Sequence, residues 1–159
     1  MSRLRYLVIH LSLVVGLVLM ILPLPDSVQA FRPNWVALFL IYWSMALPNK
    51  VGLWVAFFTG ILVDTAQGTL FGQHSLGLVI VIFININFYQ RIRVLSLLQQ
   101  SVYVLVLLLI CQGIIAWVEG VLGRSMPLMA FFGGPVVGML IWPWVFIILR
   151  DIRRKAFLR

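Results

Sequence analysis

Long apolar runs separated by short polar knots make up almost the whole chain, and the pattern predicts six helical spans. They run over about 6–24, 34–47, 51–70, 75–89, 101–122 and 134–149. A membrane-crossing helix needs about 20 apolar residues, fewer where the bilayer thins. The second run is short, and Pro48-Asn49-Lys50 turns it straight into the third. That pair reads either as two spans or as a re-entrant hairpin, and both readings leave the termini on one side. In the first run, Arg3 and Arg5 precede the seventeen residues Tyr6 to Leu22, and Val28-Gln29-Ala30 has the form of a signal-peptidase site. A cleavable apolar core is usually about 7–15 residues, so this run is expected to stay as the first span.

Composition agrees with the pattern. The 159 residues suffice for a single domain, 63% of them are hydrophobic, and the mean hydropathy is +1.10. Charged residues make up 10%, against about 25% in soluble domains. The expected fold is therefore an all-α integral membrane protein, a compact six-transmembrane-helix bundle forming one transmembrane domain over 1–159. The net charge of +8 does not point to nucleic acid, since the basic residues are scattered through short loops and a tail without a binding module. It sets orientation instead. Arg3, Arg5, Lys50, Arg91, Arg93, Arg150, Arg153, Arg154, Lys155 and Arg159 fall on one face of the predicted topology, leaving Arg32 and Arg124 on the other. By the positive-inside rule both the N and C termini are cytoplasmic. Segments 25–32, 69–74 and 124–131 then face outward. Most Trp and Tyr residues near run ends, among them Trp35, Tyr42, Trp43, Trp54, Trp142 and Trp144, read as interfacial anchors.

Against this background Asp64 stands out. It follows the uncharged stretch 51–63 and sits on a four-residue ladder, Gly52, Ala56, Gly60, Asp64 and Gly68, that forms one helix face. A carboxylate in hydrocarbon costs roughly 2.5–3.5 kcal/mol on insertion scales, so it marks a buried contact or a polar pocket. Gly52, Ala56 and Gly60, together with Gly134 and Gly138 of the last run, are the predicted sites of close helix packing, with Pro135 helping to start that last helix. Gln112 and Glu119 lie seven residues apart and form a polar stripe expected to face protein. Asn85, Asn87 and Gln90 read as a solvated helix end beside Arg91 and Arg93. Cys111, the single cysteine, lies in an apolar run and reads as a small packing residue. The two histidines, His10 and His74, are far apart, and no nucleotide, zinc-hydrolase or serine-hydrolase motif is present. Neither an enzyme, a cofactor nor a metal site is expected.

The stretch Phe31-Arg32-Pro33-Asn34-Trp35, then Tyr42-Trp43, Ala46-Leu47-Pro48, Gly60-Ile61-Leu62-Val63-Asp64 and Gly68-Thr69-Leu70-Phe71-Gly72, with Trp142-Pro143-Trp144 near the end, resembles the MreD family of bacterial rod shape-determining membrane proteins, in its proteobacterial form. The resemblance runs over essentially the whole chain. It implies an inner-membrane scaffold of the cell-elongation complex that binds MreC directly and helps couple MreB filaments to peptidoglycan synthesis by RodA and a class B penicillin-binding protein. It also implies a fold similar to the substrate-binding S components of ECF transporters, without implying transport. Carried over, Arg32, Pro33, Asn34, Asp64, Gly68 and Gly72 are expected to shape the outward-facing part of the bundle. Arg32 is the first expected partner of Asp64 and Arg124 the second. The alternative function is a binding or transport module for a small molecule, lipid or ion, with an outward-facing cavity around Asp64. The basic tail is expected to meet membrane lipids.

Overall fold

The computed structural model describes residues 2–29, 31–68 and 72–157. Ala30, the triplet Thr69-Leu70-Phe71 within the family-like stretch, and Arg159 of the basic tail lie outside the described residues. Seven helices follow one another, with no strand among the described residues: α1 (Ser2–Ile21), α2 (Asp26–Gln29), α3 (Trp35–Ala46), α4 (Leu53–Gln67), α5 (Gln73–Arg93), α6 (Leu97–Val121) and α7 (Leu128–Phe157). Each of the six apolar runs falls in a helix, and the short α2 was not foreseen. Helices α1, α5, α6 and α7 are long and apolar enough to cross a membrane. With 12 and 15 residues, α3 and α4 rise only about 18 and 22 Å.

The short α3 is explained by its place. It packs against α1, α5, α6 and α7, while α1, α4, α5, α6 and α7 close a ring around it through successive contacts, the thinnest being the seam between α1 and α4. Every residue from Val36 to Met45 is buried. A helix apolar on all sides belongs in the centre of a bundle, where its length is set by its neighbours and not by the bilayer. Tyr42, Trp43 and Trp142 sit in this core, with edge-on ring contacts from Tyr42 to Trp43 and to Phe146. They are core residues, not the interfacial anchors their place near run ends suggested. Trp54 and Trp144 remain on the outer surface.

The helix ends depart most from expectation at α7. It begins at Leu128, six residues before the predicted start, and carries Pro135 and Pro143 inside it. Pro135 therefore does not start the helix. Each proline removes one backbone N–H from the ladder, a loss that membrane helices tolerate when neighbours cover the freed carbonyl. The helix α6 opens with a capping box, Ser96 accepting from the Gln99 N–H and Gln99 reaching back to the Ser96 N–H.

Asn85 is wholly buried, in contrast to the solvated helix end expected for it. Its Nδ2 donates to the Ile41 carbonyl at 3.0 Å and to Ser44 Oγ at 2.6 Å, and its Oδ1 accepts from the Tyr103 hydroxyl at 3.0 Å. One amide thus ties α5 to α3 and α6. The six longer helices, α1 and α3 to α7, alternate in direction, so the bundle has two chemically different ends. The starts of α1 and α6 and the ends of α3, α5 and α7 share the basic end, where the Lys50 ammonium lies 5.3 Å from the Tyr6 ring. The first and last described residues belong there.

Candidate functional site

The opposite end holds the polar residues that sequence reading singled out, and Asp64 is its centre. It lies in the last turn of α4 and is 0% exposed. Gly68 closes α4 in the left-handed conformation, φ 67°, with its N–H on the Asp64 and Thr65 carbonyls. Gly72 opens α5 at φ 97°, a conformation strained for other residues. With glycine as its N-cap, α5 has no cap side chain of its own. Asp64 supplies one from the neighbouring helix: its Oδ2 accepts from the Gly72 N–H at 2.9 Å, and its Oδ1 from the His74 N–H at 3.0 Å. The same Oδ1 lies 2.7 Å from His74 Nδ1. A carboxylate only accepts, so that nitrogen carries the proton. Free N–H groups and the positive end of the helix dipole make the start of α5 a favourable place for this charge.

The partner of Asp64 is therefore His74 and the start of α5, in place of the arginines expected. Both arginines are engaged elsewhere. Arg32 donates through its two terminal nitrogens to the Met20 and Leu22 carbonyls, closing the end of α1. Arg124 lies 3.7 Å from Glu119. Opposite charge drew attention to the arginines; the requirement that an uncapped helix start find an acceptor was the signal that identifies His74.

The other predicted residues take distinct places. Asn34 caps α3, its Oδ1 accepting from the Ala37 N–H at 3.1 Å, and Pro33 is buried beside it. At Gly60 a Cβ would collide with the Ser75 backbone of α5, and at Gly134 it would come within 2.9 Å of the Arg32 carbonyl. At Gly138 it would meet the Leu108 side chain, while Ala56 is fully buried. Gly52 differs: nothing lies within 4 Å of a Cβ there, and the residue is the N-cap of α4, not a packing contact.

Gln112 and Glu119 both line a cavity of about 370 Å³, together with Arg32, Asn34, Gln73 and His74. Gln112 donates to the Ala130 carbonyl at 3.3 Å, and Glu119 accepts from Gln73 Nε2 at 2.8 Å. Two buried atoms of lining residues, Gln73 Oε1 and Arg32 Nε, have no partner among the described residues. Gln73 is not marked by the sequence, because glutamine at a helix start gives no charge signal. No group of three metal-ligating side chains occurs among the described residues.

Comparison with known proteins agrees with the resemblance. The family model described as rod shape-determining protein MreD matches residues 1–152. A rod shape-determining protein MreD of Haemophilus influenzae is 36% identical over 143 residues, covering 90% of this chain and 88% of that protein. No solved structure matches. With four helices able to cross a membrane and this match over nearly its full length, the chain belongs to the MreD family of multi-pass membrane proteins that determine rod cell shape.

Proposed function

We propose that the protein is a non-enzymatic inner-membrane scaffold that holds MreC, through its single span, within the elongation complex containing MreB, RodA and a class B penicillin-binding protein. Family membership is the observation that carries this reading. The chemistry of the site supports it, because Asp64 is consumed in joining α4 to α5 and is not presented to a substrate. Orientation follows the basic residues, with both termini in the cytoplasm and the Asp64 end outward. On this reading the bundle shares the architecture of ECF substrate-binding components while doing a different job. Co-purification with full-length MreC in mild detergent tests it: a stable complex is expected, and failure of two folded proteins to associate counts against it.

A second reading has its own observation in favour. The cavity lined by His74 also has an acceptor, Gln73 Oε1, and a donor, Arg32 Nε, both buried and without a partner among the described residues, and the Glu119 carboxylate. Its volume lies in the range of small-molecule sites. A module that binds a small polar molecule in the outer half of the bundle would use these groups. Native mass spectrometry of gently extracted protein separates the two: a mass adduct lost in Gln73→Leu supports binding, and a bare protein in its active complex supports the scaffold alone.

A further inference from the structure

At the basic end a second cavity, about 340 Å³, lies between the ends of α3, α5 and α7 and the start of α6. Its polar lining is Tyr42, Arg93, Gln100 and Arg153, and no carboxylate borders it. Two of these groups are already committed. Gln100 donates to the Ile92 and Leu95 carbonyls and accepts from Trp142 Nε1. Arg93 folds over the end of α3, with Nε on the Met45 carbonyl at 2.8 Å and one terminal nitrogen on the Ala46 carbonyl at 2.7 Å. Its other terminal nitrogen has no bond among the described residues.

The polar ends of the remaining two, the Tyr42 hydroxyl and the Arg153 guanidinium, have no hydrogen-bond partner among the described residues. Tyr42 is 2% exposed, and its buried hydroxyl has no partner among the described residues. Burying such a group is costly, and buried hydroxyls almost always find an acceptor. Arg153 lines the same cavity half-buried, with no bond or ion pair among the described residues. The nearest acid in the chain, Asp151, is exposed and does not line the space. A further cation, Arg150, does not line the cavity but lies 5.8 Å from the ring of Phe146, which does, and its buried Nε has no partner among the described residues.

A cavity bordered by a hydroxyl donor, two guanidinium groups and no acid is complementary to an oxyanion. Guanidinium groups match phosphate oxygens in a planar, charge-assisted geometry. Basic pockets between helices at the cytoplasmic surface hold acidic lipid headgroups, and the positive-inside bias puts this end of the bundle at that surface. We propose that the cavity bounded by Tyr42, Arg93 and Arg153 binds a phosphate group, supplied by the headgroup of an acidic phospholipid or by free phosphate.

The test uses the full chain in nanodiscs of phosphatidylcholine, of phosphatidylcholine with phosphatidylglycerol, and of phosphatidylcholine with added inorganic phosphate, read by thermal unfolding and by native mass spectrometry. The wild type is expected to unfold at a higher temperature with phosphatidylglycerol, with free phosphate, or with both, than in phosphatidylcholine alone. The phosphatidylglycerol arm identifies a headgroup as the source, and the phosphate arm identifies the free ion. Tyr42→Phe and Arg153→Gln should each weaken retention about tenfold, the loss of one charge-assisted bond. Lys155→Gln, outside the cavity, should retain the ligand. In phosphatidylcholine alone Tyr42→Phe should be at least as stable as the wild type, since it removes an unsatisfied hydroxyl, an effect that loss of packing would not produce. The proposal is overturned if neither phosphate source protects the wild type. It is equally overturned if Lys155→Gln loses as much binding as Arg153→Gln, the sign of unspecific charge attraction.

Discussion

Asp64 decides how two helices meet, and among the described residues it does so through three hydrogen bonds accepted from the start of α5. Replacement by Asn keeps the shape but swaps an acceptor for a donor facing N–H groups. Asp64→Asn should therefore cost about 2–3 kcal/mol in a reversible unfolding titration in mixed micelles, the range for bonds to a charged group. His74→Ala removes one of the same bonds, so the double variant should fall short of the sum of the single losses by about 1 kcal/mol or more. Simple additivity would mean that the pair is not coupled. Asp64 was legible in the sequence as a buried polar residue, because nothing else in the run 51–63 is charged. Its partner was not, since a search by charge finds arginines first and overlooks a helix whose N-cap is glycine. Asn85 was obscured in a similar way. Nearness to Arg91 and Arg93 suggested solvent, although Leu78, Val81, Ile82 and Asn85 share one helical face and all four are buried.

Helix by helix, the apolar pattern located each of the six long elements, and the errors lie at their ends. Gly134 and Pro135 read as the opening of the last helix, whereas α7 begins at Leu128, directly after Pro127. The burial of α3 could not be read from hydropathy, because a helix in lipid and a helix in a protein core have the same composition. Small residues on α4 separate two roles that spacing alone merges. Gly60→Ala should destabilise the bundle by about 3 kcal/mol, at the upper end for overpacking, since the group in the way is Ser75 backbone and cannot turn aside. Gly52→Ala meets open space and should cost at most about 1 kcal/mol, through its cap. Equal losses for the two would show that α4 does not rest on α5 at Gly60.

For the molecule as a whole, the two ends differ in chemistry and should face different compartments. The basic end carries the first and last described residues and nine of the described lysines and arginines; the other carries Arg32, Arg124 and the Asp64 cluster. In a Cys111→Ala background, Ser125→Cys should react with a membrane-impermeant maleimide in spheroplasts, and Ser96→Cys only after permeabilisation. The reverse pattern would invert the assigned orientation. Under the proposed scaffold role, that orientation would present the end built around Asp64 and His74 to a periplasmic portion of the partner. Co-purification of the wild type and of Asp64→Asn with full-length MreC is the most direct measurement of this account. The wild type should hold MreC through size-exclusion chromatography, and the folded variant should hold about tenfold less. A monodisperse, folded wild type that leaves MreC behind under the same conditions would contradict it.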